Sequence, residues 1–460
     1  FNDEIVGEMP ALSKEEIDHV IDVAYNSFKC WADTPLKERA NILEKAADIM
    51  ERSADILGRL LVKEIGKPIE SAKGEIYRTA KIFRATAETQ EVFTGEAKKG
   101  EMFMKKYRDK ISLTQRVPLG VILCIGPFNY PFNLTGSKIA PALMAGNAVV
   151  MKPPTEGSLT AMHFGIILEK AGVPPGVFNI APGKGSEIGD YLITHPNINM
   201  VSFTGSSKTG QHISEITSMK PLLLELGGKD AAIVLDDANL EKTVEAIVSG
   251  AFKFNGQRCT AVKRVLVMPA IADKLIEEIV KGAKDLVIGD PADNADIGPL
   301  IRSEQCDYVQ ELIEDALEKG AVLKYGNKRD GNIIYPTVLD NVDENMRIAW
   351  EEPFGPVLPI MRINTPQEGI IISNESKYGL QGMVFTEDID LAFNIAQELE
   401  VGTVQINGES SRGPDHFPFL GTKSSGMGVQ GIKYAIEAMS RPRVIVLNLS
   451  KKGERLKKCR

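Results

Sequence analysis

From residue 13 onward, apolar positions recur at the three- and four-residue spacing of an amphipathic helix. SKEEIDHVIDVAYNSFKCWA (13–32) opens on Ser13 with Glu16 three residues later, a capping box, and apolar positions at helical spacing follow. KERANILEKAADIMERSADILGRLLVKEIGK (37–67) and SAKGEIYRTAKIFRATAETQEVF (71–93) continue the period, so the first hundred residues read as helices. Near residue 118 the period changes. VILCIG, NAVVMK, VFNIA, NMVSFTG and LLLELGG are short, apolar and rich in β-branched residues, and each ends near Gly, Pro or Lys. Helical stretches such as LTAMHFGIILEKAG and GSEIGDYLITH lie between them. That alternation predicts an α/β fold with a doubly wound parallel sheet, which binds ligands at the carboxyl ends of its strands. A second α/β block spans about 226–425, with AAIVLDD, KRVLVMPA and VGTVQING as its strands. SLTQRVPLG (112–120) and RPRVIVLNL (441–449) are strands outside both blocks and are expected to pair with other subunits.

A chain of 460 residues suits two or three domains, and 43% hydrophobic with 25% charged residues is the composition of a globular core. The net charge of −8 argues against a nucleic-acid partner, and the basic tail KKGERLKKCR reads as a solvated end. Apolar runs fall short of the ~18–20 residues a membrane span needs. The start, FNDEIVGEMP, opens on Phe1 rather than Met and lacks a signal-peptide pattern. Cys30, Cys124, Cys259, Cys306 and Cys459 are odd in number and widely spaced, which points to a reducing compartment, the cytoplasm, rather than a disulfide framework. The histidines (His19, His163, His195, His212, His416) show no metal-ligand spacing, so no metal is expected. In GSSKTGQ (205–211) the glycines have P-loop spacing, but Gln211 stands where the phosphate-gripping Lys belongs. The same stretch still ends a strand and starts a helix, where N-terminal N–H groups can hold a pyrophosphate.

FNGQRC (254–259) poses the chemical question. A cysteine is ordinarily a buried small hydrophobe, but here Arg258 is adjacent, which would favour the thiolate, and Gly256 lets the backbone approach a ligand. Together with ELGGKD (225–230), PFNYPF (127–132), GNAVVMKPPT (146–155), FTGSSKTG (203–210) and EEPFGPV (351–357), it resembles the aldehyde dehydrogenase superfamily over essentially the whole chain. RTA (78–80), PFNYPFNLTGSKIAPAL, GQRCTAVKRVLVM and RGPDHFPFLG (412–421) are most similar to its non-phosphorylating, NADP-dependent glyceraldehyde-3-phosphate dehydrogenases.

The resemblance implies a dinucleotide-binding domain (1–100 and 119–225), a catalytic domain (226–425) and oligomerisation segments (101–118 and 436–460) that form a small β-arm. It implies a homo-oligomer, a dimer of dimers. Cys259 is the expected nucleophile, with Asn129 and the Cys259 N–H as oxyanion donors and Glu225 as the base that activates water. Arg78, Tyr130, Arg258, Thr260 and Arg412 are assigned to the substrate, because converging guanidiniums suit a phosphate dianion. The cofactor is expected to be NADP, with Gly126, Lys152, Thr155, Lys184, Gly205, Ser206, Glu352 and Phe354 around it. NAD-using members often carry an acid three residues after the Lys152 position, and here that residue is Thr155, with Glu156 one residue late. The alternatives are another aldehyde dehydrogenase, acting on succinate semialdehyde or lactaldehyde, and a non-enzymatic protein that keeps the fold.

Overall fold

The computed structural model describes residues 4–449. The expected tail, Cys459 and the end of the last oligomerisation segment lie outside the described residues. Helix Lys14–Ala32 starts with the expected capping box, in which Ser13 and Glu16 satisfy each other's backbone N–H groups. The helical pattern of 37–67 is divided at Ser53 into Leu36–Arg52 and Ala54–Ile65. Ser53 leaves helical geometry (φ −97°, ψ 0°), and its hydroxyl bonds back to the Ile49 carbonyl at 2.8 Å, a competition with the helix ladder typical of Ser.

The five strands expected between 118 and 228 form one sheet, in the order Leu222–Glu225, Met200–Thr204, Val121–Ile125, Ala148–Lys152 and Phe178–Ile180, all parallel. Gly426–Met427 adds an antiparallel edge to Leu222–Glu225. The chain runs outward from Val121–Ile125 to one side, then returns to build the other. A switch point therefore lies between Val121–Ile125 and Met200–Thr204. Every residue of these two strands is buried. Ile122 and Cys124 face the helices between residues 36 and 88, while Val121, Leu123 and Ile125 face helix Lys14–Ala32 together with Gly185–Thr194 and Ser207–Ile216.

The second sheet has seven strands, ordered Val322–Tyr325, Thr337–Asp340, Val357–Arg362, Arg264–Val267, Ala231–Val234, Gln381–Phe385 and Thr403–Ile406. Two cores cover its faces. In the third sheet the two expected arm strands meet each other. Lys110–Pro118 pairs within the same chain, antiparallel, with Ser440–Asn448. Glu96–Lys99, inside the stretch read as helical, adds to its other edge. All four residues of EAKK are exposed and carry no apolar period, so the neighbouring strand, not local pattern, makes this segment extended. Among the described residues, no helix is long and apolar enough to cross a membrane.

Candidate active site

The switch point opens into a cleft of about 930 Å³, lined by Gly126, Asn129, Thr204, Gly205 and Cys259 among others. Two turns meet at its inner end. The first, 127–132, follows Val121–Ile125 and carries Asn129, which is buried. The second carries Cys259 and is unusual in its backbone. Phe254, Asn255 and Gly256 take φ of 51°, 57° and 68°, three successive left-handed residues of which only glycine adopts that region freely. The Asn255 side chain holds the turn by donating to Gly298 O (3.0 Å) and Pro299 O (2.8 Å) and accepting from Gly298 N (2.9 Å). The two turns are tied together by Asn129 Nδ2 donating to Gln257 O at 2.8 Å.

Cys259 is half-buried, and burial pushes its thiol up to about 11, with Lys263 opposing and the carboxylates of Glu225, Asp230 and Glu352 adding to the rise. The cation beside the thiol is therefore Lys263, not Arg258. Lys263 Nζ donates to the Cys259 carbonyl and pairs with Glu352 at 3.1 Å. The Arg258 guanidinium turns away to donate to Gly250 O at 2.7 Å and faces Glu409 at 3.9 Å. Lys263→Met should slow alkylation of Cys259 by iodoacetamide at every pH up to the thiol's ionisation, because the opposing charge is lost. An unchanged or faster rate would reassign the cation.

Glu225 ends its strand buried beneath the cleft. Its Oε2 accepts from Thr204 Oγ1 (2.6 Å) and Lys138 Nζ (3.0 Å), and its Oε1 from Arg412 Nη1 (2.6 Å). Burial raises its pKa, but Arg412 and Lys138, with the Thr204 hydrogen bond, outweigh burial and hold the carboxyl down at about 2. Lys138 was not among the residues expected. The available signal was a lone lysine in the otherwise uncharged helix Asn133–Met144.

The assigned arginines do not converge on open space. Arg78 donates to both carboxylate oxygens of Asp415 (3.0 and 2.8 Å) and to Arg412 O (2.6 Å). With Tyr130 it lines a second cavity, of about 760 Å³, to which Cys259 does not contribute. Thr260 is buried beside the thiol. Each guanidinium has a carboxylate or carbonyl partner, since a buried donor left unpaired costs about 1–3 kcal/mol, although Arg258 Nε is left without one.

The outer part of the cleft gathers most of the residues assigned to a dinucleotide. Gly126, Lys152, Thr155, Gly205, Ser206, Glu352 and Phe354 all line it, joined by Lys208 and His212, which sequence reasoning passed over. Helix Ser207–Ile216 points its N-terminus there, capped by Ser206 accepting from Thr209 N at 3.2 Å. At Gly126 a Cβ would stand 1.9 Å from Thr135 Oγ1, so only glycine leaves that wall intact. Lys184 is the exception. Its side chain is 70% exposed and faces Glu187 at 3.9 Å, while its neighbours Gly185 and Ser186 line the cleft. Glu156 is paired with Arg302 at 2.6 Å. Among the described residues, no cluster of three or more acidic, His or Cys side chains is arranged to hold a metal ion.

The sequence matches the model of the aldehyde dehydrogenase family over residues 1–445. The chain belongs to that family. It is 51% identical to the NADP-dependent glyceraldehyde-3-phosphate dehydrogenase of Streptococcus equinus, over 97% of this chain and 94% of that protein. It is 39% identical to the lactaldehyde dehydrogenase of Methanocaldococcus jannaschii, over 97% of this chain and 95% of that one. The crystal structure of the NADP-dependent glyceraldehyde-3-phosphate dehydrogenase of Bacillus halodurans C-125, complexed with NADP, superposes with a TM-score of 0.96. Identity there is 52%, and the match covers 97% of this chain and 94% of that one.

Proposed function

We propose that this aldehyde dehydrogenase oxidises D-glyceraldehyde 3-phosphate to 3-phosphoglycerate with NADP+. The observation that carries the reading is the single cleft that joins Cys259 and Asn129 at one end to Lys152 and Thr155 at the other. The Cys259 thiolate attacks the aldehyde carbon, and the Asn129 amide with the Cys259 N–H receives the oxyanion. One such donor is worth about 3–4 kcal/mol. Lys152, Thr155 and the N-terminus of helix Ser207–Ile216 would hold NADP+, which would supply the hydride acceptor that lets the thiohemiacetal become a thioester. Glu225 then takes a proton from the water that attacks the thioester, and the thiolate leaves.

Glu225 is too acidic for this work while Arg412 and Lys138 hold it. A substrate phosphate that recruits Arg412 removes one of the two cations and returns the carboxyl toward basicity. Thr260 lies beside the thiol, while Arg78, which lines the neighbouring cavity with Tyr130, and the buried Arg258 would join the proposed substrate site by exchanging Asp415 and Glu409 for phosphate. The name of the Methanocaldococcus jannaschii relative keeps a small unphosphorylated aldehyde as the second reading. An NADPH-absorbance panel of aldehydes decides between them. A kcat/KM no higher for the phosphorylated aldehyde than for lactaldehyde would overturn the first.

The preference for NADP is supported by Lys152 and Thr155 on the cleft wall and by Glu156, whose tie to Arg302 keeps it from ribose hydroxyls. Thr155→Glu should shift the kcat/KM ratio toward NAD, since its carboxylate accepts ribose hydroxyls and repels a 2′-phosphate. A parent enzyme that already prefers NAD contradicts the assignment. The domain roles follow the sheets, with 96–99 joining the assembly segments. A dimer of dimers is supported by Ser440–Asn448, which among the described residues has one edge unpaired and exposes Val444, Ile445, Val446 and Leu447. The cysteine pattern supports a cytoplasmic setting and a place in glycolysis accords with the substrate.

A further inference from the structure

We propose that a buried ion pair outside the cleft of Cys259, Lys67–Glu75, is a positioning device that sets Asn129 against Cys259. Both side chains have 0% exposure. Lys67 stands between helices Ala54–Ile65 and Ile69–Glu88, and Glu75 lies within the latter. Glu75 Oε2 takes the Lys67 ammonium, while its Oε1 accepts from Phe132 N (2.9 Å) and Asn133 N (3.0 Å). The carboxylate thus anchors the far end of the turn that holds Asn129.

Lys67 Nζ reaches both turns. It donates to Asn129 O at 2.7 Å, lies 3.6 Å from the centroid of the Tyr130 ring and 4.7 Å from that of Phe254. The two rings meet edge to face at 6.2 Å. Of the three ammonium donors, one is spent on Glu75, one on the Asn129 carbonyl, and the third is left to the aromatic faces. Phe254 is the first of the left-handed residues that present Cys259. One cation therefore fixes the backbone of the oxyanion donor and packs on the first residue of the strained turn. The Asn129 Nδ2 bond to Gln257 O spans the same gap.

A buried ion pair is weak evidence for stability, because well-packed neutral replacements are often neutral or stabilising. Geometry is the stronger reason to hold two charges here. A displacement of about 1 Å between reacting groups can cost a hundredfold in rate. The inference rests on the reading of Asn129 as an oxyanion donor.

The test is the full-length double variant Lys67→Met/Glu75→Gln, combined with Asn129→Ala in a double-mutant cycle. With NADP and D-glyceraldehyde 3-phosphate, the pre-steady-state rate of NADPH formation should fall about tenfold or more in the neutral-pair variant, with the NADP Kd within about twofold. Asn129→Ala should cost about a hundredfold in the parent but less than about tenfold in the neutral-pair background. A full hundredfold loss in both backgrounds, or a neutral-pair variant as fast as the parent, overturns the positioning role alone. An Asn129→Ala enzyme as fast as the parent overturns the reading of Asn129 and the inference with it. Should the double variant fail to fold, Glu75→Gln alone carries the same cycle. It keeps an amide oxygen for the Phe132 and Asn133 N–H groups but turns an amide nitrogen toward Lys67, so the charge and the Lys67 hydrogen bond are lost together, and the same non-additivity is expected.

Discussion

Cys259→Ser abolishes aldehyde oxidation, whereas Glu225→Ala completes one turnover per site and then stalls. The expectation follows from the separation of roles along the cleft. Cys259 lines it beside Asn129, while Glu225 sits beneath, tied to Thr204, Lys138 and Arg412. A serine hydroxyl lacks the nucleophilicity of a thiolate, and loss of a nucleophile typically costs roughly 10⁴–10⁶-fold in kcat. In the proposed mechanism Glu225 acts only on the water that releases the acyl group, so its loss should leave hydride transfer intact. Rapid mixing of Glu225→Ala should show a burst of NADPH near one per site before a slow steady state. An enzyme with no burst would place Glu225 before hydride transfer. Removing the carboxylate also leaves Lys138 and Arg412 facing each other without their shared anion, so the melting temperature should be followed in parallel.

Arg412→Leu should lower kcat/KM for D-glyceraldehyde 3-phosphate about ten- to a hundredfold more than for plain glyceraldehyde. A charge-assisted hydrogen bond contributes roughly 1.5–3 kcal/mol, which sets the scale of that loss. The structure adds a second, opposite expectation. Arg412 is 2.6 Å from Glu225 and helps hold the carboxyl acidic. With leucine there, Glu225 keeps only Lys138 as a counter-ion, so deacylation of the unphosphorylated substrate should hold steady or quicken. Equal losses on both aldehydes would remove Arg412 from the phosphate site. Arg412 is the cleaner probe than Arg258, whose guanidinium holds Gly250 O within the wall of the nucleophile's turn.

Local pattern carried much of the fold because an element records its environment in its own spacing. All five strands of the first sheet were legible: four are buried and read as apolar runs, while the half-buried edge strand Phe178–Ile180 stood out between two helical stretches. So was the capping box at Ser13, where donor and acceptor are three residues apart. Val322–Tyr325 and Glu96–Lys99 were not, because exposed edge strands carry no apolar run and are made extended by their neighbours.

The same division runs through the candidate site. The sequence alone determined the family and pointed to the Asn-Gly turn of Cys259, to Asn129 and Glu225, and to most of the residues that line the outer cleft, though not Lys208 or His212. Only the tertiary structure decided which charges meet. Arg412 pairs with a carboxylate 187 residues away, Arg78 with one 337 away, and Lys67 with a carbonyl 62 away. Lys263 rather than Arg258 faces the thiol environment, although Arg258 is the sequence neighbour. Adjacent side chains leave the backbone in different directions, and a buried charge takes whichever partner the packed fold brings within hydrogen-bond reach.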